Sequence, residues 1–147
     1  MSLLDPPVDK PEKSRALAIT AVALIFVIVA VLYFTFRYYP EKKATAHFFD
    51  ALVVGDTDKA YRLWKPSVNY KMSDFLADWG PQGYYGPIKS YKVISAKAPD
   101  KSTSIEVNVA ISSFSPFPEA SDADKSRKTK IVPLWVQPSD KSFSFPP

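Results

Sequence analysis

The chain has 147 residues, of which 46% are hydrophobic, with a formal charge of +4, a single histidine and no cysteine. The missing cysteines exclude disulfides, thiolate metal sites, iron-sulfur clusters and cysteine nucleophiles, and one histidine excludes a three-histidine zinc centre. The charge is mild and its lysines are scattered among aspartates, so nucleic acid is not an expected partner.

The first fifteen residues, MSLLDPPVDKPEKSR, hold three prolines and little apolar content and read as an extended lead-in, residues 1–15. Next comes ALAITAVALIFVIVAVLYFTF, 21 residues without charge, proline or glycine. As a helix this stretch rises roughly 31 Å at about 1.5 Å per residue, which matches the hydrocarbon thickness of a bilayer. A strand is excluded there, because an isolated strand in lipid leaves its backbone polar groups unpaired. The run is too long for a signal-peptide core, and no small-x-small cleavage site follows it. Residues 16–39 are therefore read as a transmembrane anchor. Tyr33, Phe36, Arg37, Tyr38 and Tyr39 are the expected membrane-interface residues, with Pro40 separating the span from the next helix.

Lys10, Lys13 and Arg15 before the span are matched by Arg37, Lys42 and Lys43 after it, so the positive-inside rule returns a tie. A short tail ahead of a signal-anchor favours a cytoplasmic N-terminus and an extracytoplasmic domain, in the inner or plasma membrane. The short connection from Arg37 to Lys43 keeps that domain close to the bilayer.

Residues 41–147 read as one small domain. Ala44, Phe48, Ala51 and Leu52 follow helical spacing, and Gly55 is placed to end the helix. Asp56 or Thr57 caps a second helix with Ala60, Leu63 and Trp64 on one face, stopped by Pro66. SDFLADW predicts a third helical stretch, with Ser73 as cap and Phe75, Leu76 and Trp79 pointing inwards. GPQGYYGP, with three of the four glycines, marks a loop. Strands follow at Ile88 to Ala98, at STSIEVNVAIS with Ile105, Val107, Val109 and Ile111 on one face, and at KTKIVPLWVQ. Pro133 places this last strand at an edge or a bulge. KSFSF adds a short fourth strand. Helices first and an antiparallel meander afterwards predict an α+β fold, with two or three helices packed on a curved antiparallel sheet behind a single transmembrane helix.

FFDALVVGDTDKAYRLW, with its helix, Gly-Asp turn and second helix ending in an aromatic, resembles the opening of the nuclear transport factor 2-like, cone-shaped superfamily. That superfamily includes ketosteroid isomerase and many membrane-anchored bacterial proteins. FLADWGPQGYYGPIKSYKV is similar to its third helix, loop and first long strand, and the likeness runs from about Glu41 to Val136. It implies a cone-like fold, and no catalytic motif accompanies it.

Candidate chemistry is sparse. His47 and Asp50, at i, i+3, are read as an interfacial histidine with a local carboxylate neighbour in preference to an acid/base pair, since they face the rim of such a cone. Asp74 suits a helix N-terminus and Asp78 is read as solvated; two carboxylates one turn apart are too few for a metal site. No catalytic residue, cofactor or metal site is assigned, and the chain is not expected to be an enzyme or to take a small-molecule substrate. The basic run Lys125 to Lys130 is read chiefly as guarding an exposed edge strand. Tyr84 and Tyr85 in the loop have no patterned face to explain them, and with Arg127 and Lys128 they are the candidate partner contacts. The expected role is a non-catalytic accessory or structural subunit of a larger membrane complex, such as a respiratory or photosynthetic electron-transfer assembly. Its partners would be membrane lipids and an integral-membrane protein. The alternative is a membrane-anchored binding module for a small ligand or lipid, with an apolar pocket lined by Phe75, Trp79 and Trp135.

Overall fold

The computed structural model describes residues 12–121 and 123–147. The chain divides into two compact units, Met1–Arg37 and Tyr38–Pro147. Within the first, α1 spans Glu12–Phe36, 25 residues, so the helix starts before the end of the lead-in predicted from the prolines. The rest of that lead-in, with Lys10, lies outside the described residues. The helix is long and apolar enough to cross a membrane, and its apolar side chains are exposed around its whole circumference. Its two threonines are satisfied internally: the Thr20 and Thr35 hydroxyls donate to the carbonyls of Ala16 at 2.9 Å and Val31 at 2.7 Å. In an apolar surrounding that back-bonding removes the cost of a bare hydroxyl.

The second unit is α+β. Helix α2 spans Tyr39–Val53. Pro40 therefore sits inside its first turn, where a missing N–H costs nothing, and does not separate it from what precedes. Tyr38, expected at the membrane interface, is half-buried against the core of this unit. Phe48, Phe49, Ala51 and Leu52 form the buried stripe of α2. The helix closes where Gly55 takes φ +79°, a left-handed value that glycine adopts without strain, and Asp56 N–H returns to the Ala51 carbonyl at 2.9 Å. Asp56 then caps α3, Thr57–Trp64, accepting from the Lys59 N–H at 3.0 Å.

Helix α4 spans Met72–Trp79. Ser73 is inside its first turn and not its cap; the Asp74 carboxylate accepts the Lys71 N–H at 2.9 Å. Phe75 and Trp79 point inwards as expected, but Leu76 is 39% exposed, because on an eight-residue helix only one residue per turn meets the core.

Four strands follow: β1 Ser90–Lys97, β2 Ile105–Ser112, β3 Thr129–Val136 and β4 Phe143–Ser144. They pair antiparallel in sequence order into an open sheet. A four-residue helix α5, Lys125–Lys128, precedes β3, so most of the basic run expected to guard a strand edge is a helical turn. Ile94 bulges out between Val93 and Ser95, which shifts β1 by one residue and keeps Tyr91, Val93 and Ala96 on the core. Val107, Val109 and Ile111 of β2 and Val132, Leu134 and Val136 of β3 form the helix-facing side. Pro133 lies opposite Asn108, and β4 reaches only Trp135 and Val136, so the proline occupies an unpaired stretch of the outer edge of β3.

The turn between β3 and β4 is tied back across the domain. Lys141, at φ 59°, extends its ammonium to the buried Glu41 carboxylate in the first turn of α2, at 2.8 Å, and the Lys65 ammonium donates to the Asp140 carbonyl. Glu41 is 5% exposed, so removing its partner leaves a carboxylate in a poorly hydrated place. Because Lys141 itself is a third exposed, the expected loss for Lys141→Met is about 2 kcal/mol, between surface and buried pairs. Thermal unfolding of the full chain in neutral detergent measures it, and Glu41→Gln combined with Lys141→Met should recover part of the loss. Additive losses in the double variant would show that the pair is not coupled.

Candidate functional site

The groups that the sequence offers for chemistry are occupied structurally. His47 is exposed on α2, and the neighbouring Asp50 accepts the Tyr91 hydroxyl of β1 at 2.6 Å, which also reaches the Ala46 carbonyl at 3.1 Å. The carboxylate thus joins a helix to the sheet. Asp78, read as solvated, is half-buried and accepts the Tyr70 hydroxyl at 2.6 Å. Asp74 is spent on the start of α4. Among the described residues no three His, Asp or Glu side chains group as a metal site would require.

The pocket predicted from Phe75, Trp79 and Trp135 is not formed. Phe75 and Trp79 are buried among rings, while Trp135 alternates out of phase with Val132, Leu134 and Val136 and so lies on the other face of the sheet. There it borders a surface hollow shared with Pro99, Ser102 and Gln137.

The four candidate contact residues, by contrast, come together. Tyr84, Tyr85, Arg127 and Lys128 line one open cleft of about 390 Å³, floored by Ile111 and Ser112. One wall is the glycine-rich loop. Its backbone is held to the end of α4 by Tyr84 N–H to the Ala77 carbonyl at 2.9 Å and Tyr85 N–H to the Asp78 carbonyl at 2.8 Å. Gly86 is obligatory there, since a Cβ would fall 1.9 Å from the Gly80 carbonyl oxygen. The other wall is α5 and the start of β3, fixed by the Ser112 hydroxyl donating to the Lys128 carbonyl at 2.7 Å and the Thr129 hydroxyl to the Lys125 carbonyl at 2.8 Å.

The two tyrosines do different work. Tyr85 is half-buried and stacks on Trp79 at 4.7 Å, so it packs the core as much as it faces the cleft, and burial raises its hydroxyl pKa above the ordinary phenol value. Tyr84 is 70% exposed, edge-on to Tyr85 at 4.8 Å. Over its face, 4.0 Å from the ring centre, sits the Lys130 ammonium, which also lies 5.5 Å from the Tyr85 ring. Lys130 was not singled out from the sequence, where it looked like the end of a basic run. The signal was present: it is in phase with Val132, Leu134 and Val136, a lysine on the core-facing side of its strand.

Burial, then the carboxylate that each one donates to, pushes the Tyr70 and Tyr91 hydroxyls well above the ordinary phenol value of 10.0. The unfolded chain therefore releases these protons first as pH rises. Stability from both pairs is complete below pH 10.0 and is lost above it. The thermal midpoint should fall above that pH more steeply for the native chain than for Tyr70→Phe combined with Tyr91→Phe; equal slopes would show that the phenols do not contribute.

Compared with protein-family models, curated proteins and solved structures, the chain matches none.

Proposed function

We infer that this chain is a single-pass, non-catalytic accessory subunit of a larger membrane complex, with α1 in the bilayer and the α+β unit acting by contact. The observation that carries this reading is α1 itself, an apolar helix exposed on all sides, followed after Arg37 alone by a unit whose interior is filled with its own aromatic rings. Such a helix is costly in water and stable in lipid. Arg37 at its end lies 5.8 Å over the Tyr33 ring, an amphipathic pairing suited to a membrane interface. The order of helices followed by an antiparallel meander supports reading the domain as a relative of the nuclear transport factor 2-like cones, with an open sheet of four strands. Its contact surface is the cleft edged by Tyr84, Arg127 and Lys128. On this reading the α+β unit lies outside the cytoplasm.

Solubilising the native membrane in mild detergent and purifying the tagged full chain should bring down an integral-membrane protein at fixed stoichiometry. Recovery of a lone monomer at every detergent strength would sink the subunit reading. Protease added to spheroplasts should remove a C-terminal tag, and a protected tag would reverse the orientation.

A further inference from the structure

The cleft carries a chemistry of its own that does not depend on finding a partner subunit. Arg127 presents a planar fork of donors and Lys130 a point charge, and among the described residues no Asp or Glu lines the space between them and the tyrosine loop. Ser113 and Ser126 add exposed hydroxyls at its rim. Lys130 is the informative residue. A lysine that only guarded an edge would project from the outer face of the sheet, but this one lies on the helix-facing side, two residues before the fully buried Val132. The position is exposed to solvent at the edge of the cleft, and its ammonium lies over the Tyr84 ring at 4.0 Å, so the cation is held beside the cleft without being buried.

We propose that the cleft is a binding site for a phosphate-class oxyanion. A carboxylate would bring one negative charge and two acceptor oxygens. A phosphate monoester brings about two charges and three free oxygens, which matches a guanidinium fork, an ammonium and hydroxyl donors. Both walls are fixed to the scaffold by the backbone and hydroxyl hydrogen bonds of the loop and of α5, so little ordering cost falls on binding. The same chemistry is offered by a free phosphorylated metabolite and by an anionic lipid headgroup.

The test uses the full chain. In neutral detergent at about pH 8, where phosphate is mostly dianionic, calorimetric titration with inorganic phosphate should give saturable binding. Arg127→Gln and Lys130→Gln should each weaken it about tenfold or more, Lys130→Arg should retain it, and Arg62→Gln on α3 should leave it unchanged. All three positions are solvent-exposed, so thermal midpoints verify that the variants fold. In phosphatidylcholine nanodiscs with and without phosphatidic acid, amide shifts at Tyr84, Gly86 and Lys130 report the headgroup source. Saturation by inorganic phosphate supports a free ligand; shifts only with phosphatidic acid, abolished in Arg127→Gln, support a lipid. Binding indifferent to both Arg127→Gln and Lys130→Gln, or no response in either arm, overturns the site.

Discussion

The folded domain depends on the ring of Phe48. It is fully buried, and Phe49, Trp64, Trp79 and Phe143 lie with their ring centres 5.1 to 5.3 Å away or, for Trp79, at the same 5.3 Å edge-on, with Phe75 at 6.2 Å. These rings come from α2, α3, α4 and β4, so a single side chain is the common neighbour of three helices and the last strand. The edge-to-face and tilted geometries add to the area term of burial. A domain of this size has one modest core, no cysteine for a disulfide and, among the described residues, no cluster of metal ligands, which makes an aromatic hub an effective use of few residues. The last strand is only two residues long, yet it delivers Phe143 to this hub, and Phe145 beyond it stacks on Trp79 at 5.8 Å.

The same economy shows in the polar groups at the margin of the core. Asp50 takes the Tyr91 hydroxyl, Asp78 the Tyr70 hydroxyl, and Glu41 the Lys141 ammonium. The Asp50 and Glu41 bonds join elements distant in sequence, the Asp78 bond ties α4 to the segment just before it, and each satisfies a group that sits at the margin of the core. A phenol donating to a carboxylate there keeps its proton, which holds the pair together and leaves the carboxylate unsuited to abstract a proton from a bound molecule. On the outer face of the sheet, Glu106 is used in the same way: it accepts from Asn108 and pairs with Lys97 at 3.2 Å, and these donors hold its carboxyl below the usual range.

The cationic cleft, by contrast, leaves its charged groups facing solvent in a defined concavity. Its loop wall is connected to the hub through Tyr85, which stacks on Trp79 on one side and meets Tyr84 on the other. Core and cleft are therefore built from one continuous series of rings, from Phe48 through Trp79 and Tyr85 to Tyr84, ending at the Lys130 ammonium. An arrangement of this kind fixes the cation without a carboxylate, so its charge remains available to an incoming anion.

The apolar helix was legible from the sequence because lipid compatibility needs only length and composition, both of which are local. So were the α+β class, the Gly55 turn and the inward face of β2, since each rests on a period or a turn residue within a few positions, while the choice of Asp56 over Thr57 as the cap of α3 came from the structure. The cap of α4, the placement of Pro40 inside α2, the face of Leu76 and the helical turn at Lys125 were misread by small shifts, because competing caps and short helices differ by little free energy and the packing decides between them. Tertiary structure alone determined the rest. It sent Trp135 to the opposite face from Trp79, gave Asp50 a tyrosine for a neighbour instead of His47, and brought the tyrosine loop against Lys130. Those outcomes follow from strand register and from where a chain returns after a long excursion, and a register of period two turns every side chain over when it moves by one residue.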